Sequence, residues 1–298
     1  MIENRLIKET GLDKLFTVAN YLFASILLLV VIYPLVFVLS ASFSSPESLM
    51  GGKVWLFPVD IGLAGYKAVF EYKSVWIGYS NSLLYTVAGT VINVVMTIAA
   101  AYPLSRKDFY GGRTIMLIFA FTMIFSGGLI PNYLLVKELG LLNTRWALLI
   151  PNAMSIFNVV VMMSFFRSNI PAELLESAKM DGCSNFRFLL SIVLPLSGAV
   201  IAVITLFYAV GHWNSFFDAL LYLSDKNKFP LQIYLREILL LNTTSDITLN
   251  VHEESKNFYL SELLKYSLII LSSLPMIVLY PFVQKYFVKG VMVGSLKG

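Results

Sequence analysis

Six stretches of this 298-residue chain carry no charged side chain: 15–46, 75–105, 114–136, 146–166, 188–217 and 266–284. Each is near or above the roughly 20 apolar residues that carry a helix across hydrocarbon at about 1.5 Å per residue. Backbone amides and carbonyls cannot stay unpaired in lipid, so runs of this length become helix. The reading is an all-α integral membrane protein with six transmembrane helices in a single domain over residues 1–298. The spans fall at about 16–42, 80–105, 114–136, 146–166, 194–217 and 264–287. Composition agrees: 57% of residues are hydrophobic and 13% charged, with a mean hydropathy of +0.75. A water-soluble domain carries charge on nearer a quarter of its residues.

An even number of spans puts both termini on one side. With the N-terminus inside, the inner segments hold Arg5, Lys8, Lys14, Arg106, Lys107, Arg113, Arg167, Lys179, Arg187, Lys285, Lys289 and Lys297. These segments are short, whereas the other basic residues are spread over longer outer loops, including a large one at 218–265. The positive-inside rule then places both termini in the cytoplasm. A cleavable signal peptide competes for the first span. However, Glu3, Glu9 and Asp13 lie among its leading bases, and its apolar run is about twice a normal h-region.

Several chemistries are excluded. No span has an acid or base near its middle, which argues against a proton- or ion-coupled carrier. No nucleophile–base pair is evident. A membrane-embedded transferase would need a carboxylate cluster near an interface, which the chain lacks. One cysteine, Cys183, and two distant histidines, His212 and His252, make a metal centre implausible. There is no P-loop motif for ATP, and the net charge of +4 leaves no nucleic-acid footprint. Energy must arrive from outside the membrane.

The segment 167–195 is the candidate port. Ser168-Asn169 can cap a helix over 172–181 with Pro171 in its first turn and Glu173 at its positive end. Gly182 suits the left-handed position that ends such a helix. Ser184 then caps a second short helix over 185–193, and Pro195 opens the next span. Two readings fit: a bent lever able to transmit a push, or an amphipathic loop lying on the membrane surface.

These residues also carry a resemblance. Glu176-Ser177-Ala178, Gly182, Ile192 and Leu194-Pro195 reproduce the spacing of the coupling-loop motif of permease subunits in binding-protein-dependent ABC importers. The chain departs from that pattern at Ser177, where the family has alanine, and at Cys183 after the glycine. Phe125-Ser126-Gly127-Gly128-Leu129-Ile130-Pro131, Trp213-Asn214-Ser215-Phe216-Phe217 and the ending from Phe287 to Gly298 resemble the carbohydrate-uptake branch. They are most similar to the second membrane subunit of maltose-type and polysaccharide-breakdown-product transporters.

The resemblance implies a type I importer permease fold in a bacterial cell membrane, with cytoplasmic coupling helices. It also implies half of a translocation path for a sugar, with an oligosaccharide as the expected substrate. The implied partners are a homologous permease forming a heterodimer, two ABC ATPase subunits, an extracytoplasmic binding protein, the carbohydrate and membrane lipid. ATP and magnesium would be bound by the ATPases, and this chain would bind no cofactor and catalyse nothing. ATPase coupling would fall to Glu176, Ser177, Ala178, Asp181, Gly182, Phe186, Phe188, Leu189, Ile192, Leu194 and Pro195, with a second contact from Gly294 to Gly298.

Residues for the sugar path are Asn81, Tyr85, Asn93, Ser155, Asn158, Tyr208, Trp213 and Asn214, because saccharides need aromatic faces with amides and hydroxyls. Each also suits interhelical hydrogen bonding or an interfacial aromatic belt. Gly127-Gly128 and Pro131 suit either a break in the third helix or close helix packing. The loop 218–265, with a helix near 230–241, suits a platform for the binding protein or a solvated cap. A permease for a non-sugar solute, or a stand-alone secondary carrier, remains as an alternative.

Overall fold

The computed structural model describes residues 10–244, 264–281 and 284. Its described elements are helices α1 (Gly11–Ser42), α2 (Pro46–Met50), α3 (Ala64–Glu71), α4 (Lys73–Ser105), α5 (Gly112–Ile124), α6 (Leu129–Glu138), α7 (Trp146–Leu149) and α8 (Ile156–Asn169). There follow α9 (Ala172–Met180), α10 (Asn185–Phe188), a π-helical turn (Leu189–Val193), α11 (Leu194–Leu196), α12 (Gly198–Asn214), α13 (Phe217–Tyr222), α14 (Leu231–Thr244) and α15 (Leu264–Pro281). The chain divides into two compact units: the described residues of Met1–Glu71 with Ile238–Leu271, and those of Tyr72–Glu237 with Ser272–Gly298.

In the first unit, Thr10 caps α1 reciprocally with Asp13. The Thr10 hydroxyl accepts from the Asp13 amide, and the Asp13 carboxylate accepts from the Thr10 amide. The most apolar part of α1 buries nothing within the chain. Only its end, Ser40, Ala41 and Ser42, is covered. Serine hydroxyls hold the following loop there: Ser40 donates to the Leu56 carbonyl at 2.7 Å, and Ser44 to the Ser40 carbonyl at 2.7 Å. The start of α15 packs on the same end, with Tyr266 edge-on to Phe37.

In the second unit α4 is the central post, packed against α8 and α12. Its buried stripe runs through Gly78, Ser82, Tyr85, Thr86, Gly89, Thr90, Asn93, Thr97, Ala101 and Leu104. This is the three-and-four spacing of one helix face. Small and hydroxylated residues let neighbouring helices come close and offer them hydrogen bonds. At Gly89 an added Cβ would run into the His212 ring, and at Gly78 it would meet the Tyr234 ring at 2.7 Å.

The predicted spans divide into unbroken and broken helices. Among the described residues, α1, α4 and α15 are each long and apolar enough to cross a membrane alone. The third predicted span is two helices, α5 and α6, bent by 116° across Phe125–Gly128, with Gly128 at φ +87°. The break, rather than unbroken packing, is what Gly127-Gly128 encode. The start of the fifth bends by 83° at Ser197. The fourth, expected as continuous helix over 146–166, is interrupted: α7 is one turn, and 150–155 is non-helical before α8 begins at Ile156. Pro151 accounts for this, since it lacks an amide and its ring crowds the carbonyl four residues earlier. The helix expected over 230–241 is present as α14.

Candidate functional site

The segment between α8 and α12 folds as two short helices meeting at a glycine. The expected cap is corrected: Pro171 is the N-cap of α9, while Ser168 and Asn169 end α8 and bond back to the carbonyls of Ser164 and Phe165. At the other end Gly182 takes φ +71°. Its amide donates to the Lys179 carbonyl at 3.0 Å and the Cys183 amide donates to the Ala178 carbonyl at 2.9 Å. This pairing is the Schellman motif, which left-handed glycine makes possible. The Ser184 hydroxyl then accepts from the Arg187 amide and caps α10. The helix expected over 185–193 is α only to Phe188 and continues as the π-helical turn.

This bent segment has two faces. Ala178, Phe188 and Val193 are buried in one core with Ala101, Leu104, Met162, Phe166 and Ile204, and Leu175, Cys183, Leu189 and Ile192 pack against it. On the outer face Glu173, Glu176, Ser177, Asp181 and Gly182 are exposed. Met180 is 88% exposed and Phe186 71% exposed. The expectation that Phe186, Phe188 and Leu189 all face a partner is therefore corrected. Phe188 is 3% exposed and Leu189 half-buried, so only Phe186 projects. Leu194 is half-buried and Pro195 exposed at the following bend. Met180 was missed by the sequence reading, although its place two residues before Gly182, on the side away from Ala178, was available as a signal.

A charged clasp ties this segment to the end of α4. Arg106 donates to both carboxylate oxygens of Asp108, at 2.8 and 2.6 Å, and to the Asn185 side-chain carbonyl at 2.7 Å. Lys179 Nζ lies 3.3 Å from Asp108. Arg167 donates to the Leu104 carbonyl at 2.6 Å, satisfying an orphan at the α4 terminus. The guanidinium of Arg106, with Lys179, holds the Asp108 carboxyl well below the usual carboxylate range. The clasp therefore stays ionised at neutral pH.

The second feature is a cleft of about 370 Å³ where the fourth predicted span is interrupted. Its polar lining comes from Asn93 on α4, Asn152 and Ser155 in the interruption, Tyr208 and His212 on α12, and Ser215 and Asp218 beyond it. Asn93 donates to the Asn152 carbonyl at 2.6 Å, and its own carbonyl faces His212 Nε2 at 3.0 Å. The Tyr208 hydroxyl accepts from the Ser155 amide at 3.0 Å and pairs with Thr97 at 2.7 Å. Asn152 donates to Asp218 at 2.8 Å. Irregular backbone within a span survives only where protein partners or a wet cavity satisfy it, and here Asn93 and Tyr208 are the partners. Asn93, Ser155 and Tyr208, anticipated separately, thus meet at one site. Asn152, His212 and Asp218 were not anticipated, because their convergence depends on the interruption.

A model of the family described as binding-protein-dependent transport system inner membrane component matches residues 73–293. The chain belongs to that family. This permease is 40% identical over 299 residues to Protein LplC of Bacillus subtilis (strain 168), covering all of both chains. It is 38% identical to the polygalacturonan/rhamnogalacturonan transport system permease protein YtcP of the same strain, covering 96% of this chain and 99% of the relative. A solved chain from a bacterial ABC transporter involved in the import of the acidic polysaccharide alginate superposes with a TM-score of 0.86 at 35% identity. That match covers 94% of this permease and 99% of the solved chain.

The remaining candidates for the sugar path have local tasks in the permease. Asn81 and Tyr85 donate to the carbonyls of Asn227, Phe229 and Lys228, and Ser82 accepts from the Leu231 amide. Together they pin the turn before α14 onto α4. Trp213 is 2% exposed, donates to the Ser272 carbonyl at 2.9 Å and stands edge-on to Tyr79. Asn214 bonds back to the Val210 carbonyl, and Asn158 is buried on α8. Of the predicted contact of the tail with the ATPases, residues 294–298 lie outside the described residues, as do His252 and the 245–263 part of the platform loop.

Proposed function

We propose that this permease forms half of the translocation path of an ATP-driven saccharide importer and is moved through its bent segment at 172–196. The observation that carries the reading is the division of that segment into two faces. One is fused to the core of α4, α8 and α12, and the other presents Glu176, Met180, Asp181 and Phe186 to whatever lies beyond. A load placed on the bare face is passed to the helices that wall the cleft. An ATPase can bias the open and closed states only by binding them differently, and this face is where the difference would be made.

On this reading the chain crosses the bacterial cell membrane six times with both ends in the cytoplasm. It works with a second permease, two ATPases that hold ATP and magnesium, and an extracytoplasmic binding protein. The saccharide class is supported by the cleft, where Phe207 and Tyr208 line the wall beside amides and hydroxyls. The names of the polygalacturonan/rhamnogalacturonan and alginate relatives point the same way.

The test is Gly182→Asp. A side chain at φ +71° strains the bend, and the added carboxylate alters the docking face. Membrane vesicles should contain normal amounts of the variant, yet ATPase subunits should no longer co-purify and uptake should fail. Normal uptake by that variant would refute the lever.

A further inference from the structure

Two of the proteins named above are described as belonging to a polygalacturonan/rhamnogalacturonan transport system and to an importer of the acidic polysaccharide alginate, yet the wall this permease contributes to the cleft carries a carboxylate of its own. Asp218 is the one carboxylate in the lining, and among the described residues no lysine or arginine lines the cleft. Asp218 receives an amide hydrogen bond from Asn152 and makes no ion pair among the described residues. The nearby Arg236 guanidinium is placed over the Phe216 ring, 5.8 Å from its centroid, outside the lining. His212, for its part, already has a partner within the lining. The Asn93 amide group is oriented by its bond to the Asn152 carbonyl, so its oxygen faces Nε2 and the imidazole is engaged as a donor inside the network.

We propose, building on the saccharide-permease reading, that the cleft is selective for neutral, hydroxyl-rich sugars and excludes uronates, with Asp218 as the specificity-determining residue. A carboxylate is an acceptor only, with about four lone-pair sites, of which Asn152 uses one. The remaining sites suit a pair of sugar hydroxyls. The same charge repels a second carboxylate brought within a few ångströms, in a partly buried site where water screens it incompletely. Asn93, Asn152, Ser155, Tyr208 and Ser215 complete a surface of uncharged donors and acceptors. Phe207 adds an apolar face.

The test reads the charge of the cleft directly. A thiol is placed in the lining by Ser215→Cys in a Cys183→Ser background. The full chain is made with the other subunits of its importer, in permeabilised membrane vesicles. Labelling rates are measured with a cationic (trimethylammonium-ethyl) and an anionic (sulfonato-ethyl) methanethiosulfonate, each normalised to the neutral methyl reagent. With Asp218 present, the cation-to-anion rate ratio should exceed that of the Asp218→Asn protein by about ten-fold. Galactotriose should slow labelling in both proteins, and trigalacturonate only in Asp218→Asn.

Equal ratios in the two proteins, or equal protection by trigalacturonate and galactotriose with Asp218 intact, would overturn the selectivity. If neither sugar protects in either protein while the charge ratio differs, the saccharide assignment itself falls and this inference with it. Normalisation to the neutral reagent separates these results from misfolding, which alters all three rates together.

Discussion

At the scale of single residues, the permease relies on a few side chains whose partners lie far along the sequence. Asp108 joins Arg106, its near neighbour, to Lys179, which is 71 positions away. The pair is half-exposed at Asp108, so solvent screens it, and a double-mutant cycle between Asp108→Asn and Lys179→Met should return less than about 1 kcal/mol of stability. The larger effect should be on uptake per ATP hydrolysed, because the clasp is the polar tie between α9 and the end of α4. A fall in stability with no change in that ratio would mark the clasp as merely structural.

The pH dependence has a definite sign. The folded carboxyl is depressed, so its stabilisation is complete above the ordinary aspartate pKa of about 3.9 and disappears as pH falls through the lower folded value. The protection factors of amides in 172–196, taken against the intrinsic exchange rate at each pH, should be indifferent to this pair from pH 8 to 5 and fall only under stronger acid. Tyr208 makes a similar long-range tie. Tyr208→Phe removes the acceptor of the Ser155 amide and the partner of Thr97, at a cost of about 1–3 kcal/mol measurable by thermal unfolding in detergent.

At the scale of elements, α4 and α12 approach closely because Gly89 has no side chain where His212 stands. Gly89→Ala should destabilise by about 1–3 kcal/mol through overpacking, and adding His212→Ala should recover part of the loss. No recovery would show that the glycine serves the backbone and not the contact. The bend at Gly182 was legible in the sequence, since a charged short helix followed by glycine and a serine cap has few other conformations. The interruption at 150–155 was less so. Its residues are as apolar as a span requires, and Pro151 in an apolar run reads equally as a kink. Only the partners waiting on α4 and α12 make open backbone tolerable there, and those partners are 59 and 53 positions distant.

At the scale of the whole molecule, the proposed orientation makes a direct prediction. In a Cys183→Ser background, a thiol introduced by Asp181→Cys should react with an impermeant maleimide in inside-out vesicles and stay silent in intact cells. Labelling of intact cells would reverse the topology and remove the face from any cytoplasmic ATPase. The sequence by itself determined that the chain is helical and membrane-borne, because six long uncharged runs have no other way to satisfy their backbones in lipid. It also determined where the bent segment lies and that glycine ends its first helix, since both follow from local rules of capping and charge. Tertiary structure alone decided which face of that segment is bare, which polar residues pin loops and which line the cleft. A side chain's direction and its partners depend on neighbours brought together by packing, and no local pattern of apolar and polar residues carries that information.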